Sequence, residues 1–316
     1  MIIQISLLIL GLGLLVKGAN WLVDGGVSLA KKYNVSDLTI GLTIIAFGTS
    51  TPELVVNTYA SFQNHPDIVF GNIIGSNNFN VYVILGITGI IMPLSVKSNT
   101  VWKEIPFSFV AVLMLFVLSK DFFSSGPHLL TRIDGLILLA MFGFFLFYIF
   151  KQLKRDATTV DINKVTSSSG KIWALIFIGL ISLVAGGNLA VNSAVNLAKT
   201  IGLSEKVIGL TILAAGTSLP ELATSVTAAV KKNSDIAVGN IIGSNIFNIF
   251  SIMAASAIIH PIYYFNQFDT DLYIFAAGTL FLFIAMFTGE KKKLDRWEAG
   301  LLLFTYSVYI GYIITK

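Results

Sequence analysis

The sequence repeats itself at a constant offset of 168 positions (35 to 203, 67 to 235). "VSDLTIGLTIIAFGTSTPEL" (35–54) returns as "LSEKVIGLTILAAGTSLPEL" (203–222), and "DIVFGNIIGSNNFN" (67–80) returns as "DIAVGNIIGSNIFN" (235–248). Pro93 and Pro261 keep the same spacing, and "RIDG" (132–135) is echoed by "RWEAG" (296–300). A chain written this way folds as two related halves, so any role given to one motif has to serve both copies.

Both halves are apolar. Of 316 residues 55% are hydrophobic and 12% charged, about half the charged fraction of a soluble domain. The charges gather between long apolar runs. A membrane crossing needs roughly 20 mostly apolar residues, and the runs predict ten spans, near 2–30, 36–62, 68–93, 103–119 and 129–150, then 172–199, 204–230, 235–261, 270–288 and 297–315. The fold class that follows is an all-α polytopic membrane protein. Residues 1–150 form a first five-helix repeat and 172–316 a second, joined by "KQLKRDATTVDINKVTSSSGK" (151–171), which has no packable core. The opening "MIIQISLLILGLGLLV" lacks the basic leader of a signal peptide and reads as the first span.

Five spans is an odd number, so the second half enters from the opposite side, giving inverted-topology repeats. The loops on the linker's side hold the large majority of the 21 Lys and Arg residues. The positive-inside rule then puts the linker in the cytoplasm of a plasma-membrane protein and both termini outside. "GEKKK" (289–293) reads as one such anchor, and the net charge of +4 as topology signals, not a nucleic-acid surface. Without cysteine there is neither a disulfide nor a thiolate metal site.

Ser36 and Ser204, followed by Asp37 and Glu205, read as N-caps of the second and seventh spans. At about 1.5 Å per residue Glu53 lies ~25 Å along a helix of ~40 Å. Glu221 lies at the same depth from the other face, so inversion brings the two carboxylates together near the midplane. Pro52 cannot donate to the carbonyl of Gly48 and its ring crowds it, so the helix opens around 46–50; Pro220 acts likewise at Gly216. The opening exposes carbonyls beside Thr49, Ser50, Thr217 and Ser218. The second repeated block places Gly71, Gly75, Ser76, Asn77 and Asn80 mid-span, with Gly239, Gly243, Ser244, Asn245 and Asn248 as counterparts. Part of that block is close helix packing through glycine. Its Ser and Asn oxygens, with the carboxylates, describe a hard-oxygen site for Na⁺ or Ca²⁺ and not for a transition metal.

A single kinked span whose glutamate met a basic neighbour would be a structural helix. Two inverted copies with no basic residue nearby instead leave a cost of several kcal/mol for each mid-membrane carboxylate, which a cation offsets. Lys17 and Asp24 share a face of the first span without a repeat counterpart and read as a structural pair or as snorkelling side chains. His65, His128 and His260 fall near span ends, far from Ser50 and Ser218, and there is no HExxH. The chain is read as no enzyme.

The paired GTS-x-PE and GN-x-x-GSN motifs resemble the cation/calcium exchanger superfamily, and most of all its prokaryotic sodium/calcium exchangers. The resemblance implies a central Ca²⁺ site bridged by Glu53 and Glu221, with Thr49, Thr217 and the carbonyls of Ala46 and Ala214 contributing. It implies Na⁺ sites sharing these groups, an outer one with Glu221 and Ser244 and an inner one with Glu53 and Ser76. Asn80 and Asn248 match the remaining central positions, one of which often carries aspartate in such exchangers; here both are Asn. The first and sixth spans would slide against the rest. The implied function is Na⁺/Ca²⁺ antiport that extrudes Ca²⁺, by a monomer in the lipid bilayer. Ca²⁺ and Na⁺ are transported substrates and no cofactor is needed. The alternative is Ca²⁺/H⁺ exchange on the same scaffold.

Overall fold

The computed structural model describes residues 2–98, 100–120, 128–156, 168–200, 214–289 and 292–315. The first part of the predicted span 204–230, with its cap Ser204, much of the linker 151–171, and part of 289–293 lie outside the described residues. The fold is helical. Its first half holds α1 (Ile2–Tyr33), α2 (Asp37–Thr49), α3 (Thr51–Phe62), α4 (Pro66–Ile91), α5 (Thr100–Lys120) and α6 (Arg132–Asp156). The second holds α7 (Ser169–Thr200), α8 (Leu219–Val230), α9 (Ser234–Ile259), α10 (Asp269–Ala285) and α11 (Arg296–Thr315).

Among the described residues seven helices are long and apolar enough to cross a membrane, and an eighth span results if α2 and α3 count as one. These two meet at a 48° bend. Ser36 opens α2 as expected, in extended conformation and with its hydroxyl accepting from Thr39 N–H at 3.2 Å. α8 and α11 stand at the predicted positions of the seventh and tenth spans.

The repeat is copied into the backbone. Asn64 and Lys232, 168 positions apart, both take left-handed φ (55° and 60°) in the turns before α4 and α9. Within those helices a π-helical segment starts at Phe79 and another at Asn248. Residues preceding proline are pushed to extended backbone; Met92 (φ −145°) and His260 (φ −142°) accordingly end α4 and α9. The chain released there pairs with the other half: β1 (Leu94–Ser95) with β4 (Lys293–Leu294), and β2 (Leu129–Leu130) with β3 (Ile262–Tyr263), both antiparallel.

α4 and α9 form the centre, with 72% and 83% of their most apolar windows buried, against 22% for α1 and α6. α1 and α7 lie against each other almost backbone to backbone. A Cβ at Gly11, Gly18, Gly179 or Gly186 would stand within about 2.9 Å of a backbone atom of the facing helix, which is the close approach that small residues permit between membrane helices. Of the two readings of Lys17 and Asp24, a structural pair or snorkelling side chains, the pair does not form. Asp24 instead accepts from Lys231 at 2.8 Å, because the turn after α8 brings that ammonium beside α1.

Candidate cation-binding site

Proline sits at the second position of α3 and of α8, so each helix starts afresh at the serine before it. Ser50 (φ −80°, ψ 9°) and Ser218 (φ −89°, ψ 7°) occupy the N-cap positions, yet neither side chain caps its own helix. Their hydroxyls cross to the other half. Ser50 Oγ donates to Glu221 Oε1 at 3.0 Å, and Ser218 Oγ donates to Glu53 Oε1 at 3.2 Å. Each glutamate stands third in its helix, in the first turn, where the exposed N–H groups favour negative charge.

A second hydroxyl reaches each carboxylate from the central helix of its own half: Ser76 to Glu53 Oε1 at 3.3 Å and Ser244 to Glu221 Oε1 at 3.4 Å. Glu53 and Glu221 are each 1% exposed. Among the described residues no Lys, Arg or His pairs with either.

The outer oxygens of the same groups are left over. Glu53 Oε2 and Glu221 Oε2 are buried without a hydrogen-bond partner, and so are Asn80 Oδ1 and Asn248 Oδ1. The amide nitrogens of these two asparagines are engaged: Asn80 Nδ2 donates to Asn245 Oδ1 at 3.0 Å and Asn248 Nδ2 to Asn77 Oδ1 at 2.9 Å. All four unpartnered atoms are acceptors, and each buried acceptor without a donor costs about 1–3 kcal/mol. Two negative charges in a low-dielectric interior add to that cost. A hard cation meets both demands at once, since Na⁺ and Ca²⁺ take oxygen ligands of this kind. Among the described residues no three His, Asp or Glu side chains gather, so the negative charge of the centre is that of two carboxylates.

Thr49 and Thr217 stand at the carboxylates and also join the two halves through asparagines: Thr49 donates to Asn240 Oδ1 (3.1 Å) and Thr217 to Asn72 Oδ1 (3.2 Å). Asn72 and Asn240 were not among the expected site residues, although both stand at the same place in the repeated GNIIGSN block. The Ala46 carbonyl is not released by the kink. It still accepts from Ser50 N–H at 3.0 Å and also receives the Thr49 hydroxyl at 3.3 Å. Ala214 heads a short helical turn, Ala214–Gly216. Asn77 and Asn245, expected to offer oxygens to an ion, spend them on the Asn248 and Asn80 amides.

A cavity of about 280 Å³ leads to the kinks between Pro52, Gly187, Asn188, Gly216, Thr217 and Pro220. Thr217 belongs both to its wall and to the hydroxyl network, where it lies 3.3 Å from Ser76 Oγ. α7 seats a side chain on each kink. A Cβ at Gly48 would stand 2.3 Å from Leu180 Cδ2, and one at Gly216 2.6 Å from Val191 Cγ2.

The chain as a whole has known counterparts. The family model described as sodium/calcium exchanger protein matches residues 3–151 and 171–315, nearly the whole chain apart from the polar linker. The chain belongs to the sodium/calcium exchanger family. Among its relatives, the putative antiporter CaxA of Alkalimonas amylolytica is 34% identical over 323 residues, covering 99% of this chain and 98% of CaxA. The sodium/calcium exchanger MaX1 of Methanosarcina acetivorans is 31% identical over 345 residues, covering 98% and 97%. A structure of the sodium-calcium exchanger NCX_Mj, soaked in Na⁺ without Ca²⁺, superposes with a TM-score of 0.85 at 33% identity over 98% of each chain. The chain is thus a membrane protein of a cation-exchanger family whose members are transporters and not enzymes.

Proposed function

We propose that this exchanger is a secondary active antiporter that carries Na⁺ one way and Ca²⁺ the other by alternating access, extruding Ca²⁺ where the Na⁺ gradient points inward. The observation that carries this reading is the set of four buried, unpartnered acceptors: Glu53 Oε2, Glu221 Oε2, Asn80 Oδ1 and Asn248 Oδ1. In the proposal these hold Ca²⁺. Ser76, Ser244, Ser50, Ser218, Thr49, Thr217 and the Ala46 and Ala214 carbonyls complete the central and Na⁺ positions as ions enter and leave. The names of MaX1 and NCX_Mj, both sodium/calcium exchangers, favour the same substrates.

The architecture proposed with it is ten spans in two inverted repeats, 1–150 and 172–316, with the 151–171 linker cytoplasmic, both termini outside, in the plasma membrane. The half-to-half exchange of hydroxyls at the carboxylates supports this, since it makes the site nearly the same seen from either half. The tightly packed α1 and α7 are the natural moving pair, because they touch each other through backbone while α7 meets Gly48 and Gly216 through the side chains of Leu180 and Val191. The transporter acts as a monomer.

The test is uptake of radioactive calcium into liposomes loaded with Na⁺ and diluted into Na⁺-free buffer at matched pH, beside liposomes carrying only a pH gradient. Uptake driven by Na⁺ alone is the expected result. Uptake that needs the pH gradient and ignores Na⁺ makes the protein a Ca²⁺/H⁺ exchanger instead.

A further inference from the structure

We infer that Asn77 and Asn245 are positioning residues: each is in one half and fixes the amide orientation of the ion-facing asparagine of the other half. This rests on the proposed ion site and adds to it the groups that determine which way its neutral ligands point.

An asparagine amide presents an acceptor on one side and two N–H donors on the other. Turned one way, Asn80 and Asn248 offer a cation an oxygen; turned the other way, they offer it the positive edge of an NH₂ group. All four side chains concerned are buried, at 0–2% exposure, so no solvent competes for the choice. The hydrogen bonds make it. Asn245 Oδ1 takes Asn80 Nδ2 at 3.0 Å, and Asn77 Oδ1 takes Asn248 Nδ2 at 2.9 Å. With the nitrogens held, Asn80 Oδ1 and Asn248 Oδ1 are the atoms left without partners, as are Glu53 Oε2 and Glu221 Oε2. The Asn77 amide nitrogen is itself buried without an acceptor, so nothing on that side chain but its oxygen is in use.

The spacing explains why the residues come in this pattern. Asn77 precedes Asn80 by three residues and Asn245 precedes Asn248 by three, which puts both members of each pair on one side of α4 and of α9. The π-helical segments start within this stretch, at Phe79 and Asn248. The faces of the two central helices then meet crosswise, Asn77 against Asn248 and Asn245 against Asn80. The two asparagines of each motif thus do different work: the later one faces the ion and the earlier one orients its opposite number. An aspartate at position 80 or 248 would have no wrong way round, so the need for an orienting acceptor follows from having Asn at both.

The experiment is a double-mutant cycle read by equilibrium Ca²⁺ titration of the purified transporter, with the yield of monodisperse protein as the control on folding. Asn245→Leu keeps the branched shape and removes the acceptor, and it is expected to weaken Ca²⁺ binding about tenfold, the effect of losing one well-aligned ligand. In an Asn80→Ala background, where the oriented group is already gone, the same change is expected to cost less than about twofold. Asn245→Asp, which still offers an oxygen to Asn80, should retain binding. Asn77→Leu with Asn248→Ala provides the mirror cycle if the first variant does not fold. Equal losses with and without Asn80 would overturn the inference, because a packing role is indifferent to that amide; so would an Asn245→Asp variant as weak as Asn245→Leu. Wild-type protein that binds Ca²⁺ but fails the Na⁺-driven uptake above defeats the coupling reading and leaves this one standing.

Discussion

The Ser50 hydroxyl donates to the Glu221 carboxylate at 3.0 Å, across the boundary between the two halves of the chain. Ser218 returns the same bond to Glu53 at 3.2 Å. Neither carboxylate is therefore built by one repeat alone. A hydrogen bond to a charged group contributes about 1.5–3 kcal/mol, so Ser50→Ala and Ser218→Ala are each expected to weaken equilibrium Ca²⁺ binding by about tenfold or more. Placed in a Glu221→Gln background, Ser50→Ala should add much less. Ca²⁺ titration of the four purified variants checks both points.

α7 rests a side chain on each break, and those contacts need glycine beneath them. A methyl group at Gly48 would meet Leu180 at 2.3 Å, and one at Gly216 would meet Val191 at 2.6 Å. Overpacking of this kind costs about 1–3 kcal/mol, and here it falls on a contact the proposed sliding motion must make and break. Gly48→Ala is expected to slow turnover several-fold, with Leu180→Ala restoring it in the double variant. Turnover in liposomes measures this, and a failure of Leu180→Ala to restore the rate would place the damage elsewhere.

The α1–α7 contact is a separate matter of stability. At Gly18 an added Cβ would stand 2.8 Å from the Gly179 carbonyl oxygen, a backbone atom that cannot turn aside. Gly18→Leu should therefore force the two helices apart and lower the midpoint of thermal unfolding in detergent by several degrees, the shift that about 1–3 kcal/mol produces. By contrast, Asp24→Asn removes only the partly exposed pair with Lys231, worth about 0–1 kcal/mol, and should leave that midpoint nearly unchanged.

Orientation can be read directly because the chain has no cysteine of its own. A cysteine at Ser168, in the linker, is expected to react with a membrane-impermeant maleimide only after cells are opened. One at His65, in the turn between α3 and α4, should react in intact cells. The reverse pattern would invert the proposed topology.

Much of this site was legible in the sequence because duplication marks it. Glu53, Glu221, Ser76, Ser244, Asn80 and Asn248 stand at one offset, and the prolines announce the breaks before α3 and α8. What the repeat could not reveal is which copy touches which. The bonds from Ser50 to Glu221 and from Asn80 to Asn245 join residues more than 160 positions apart. The first depends on how the starts of α3 and α8 face each other and the second on how α4 and α9 are rotated against each other, and the apolar pattern of a largely buried helix leaves that rotation unmarked. For the same reason the sequence reads Asn77 and Asn245 as oxygen ligands and singles out neither Asn72 nor Asn240. Asp24 was matched to Lys17 on its own helix because the turn that carries Lys231 to it is a feature of the folded chain.

The most direct measurement is Na⁺-driven uptake of radioactive calcium by liposomes carrying wild-type protein, Glu53→Gln or Glu221→Gln, each at equal protein density. Glutamine keeps the shape and removes the charge that the ion balances. Wild-type vesicles should accumulate Ca²⁺ and both variants should fall to the level of empty vesicles. Ca²⁺ uptake that persists in either variant would contradict the central site built on these two carboxylates.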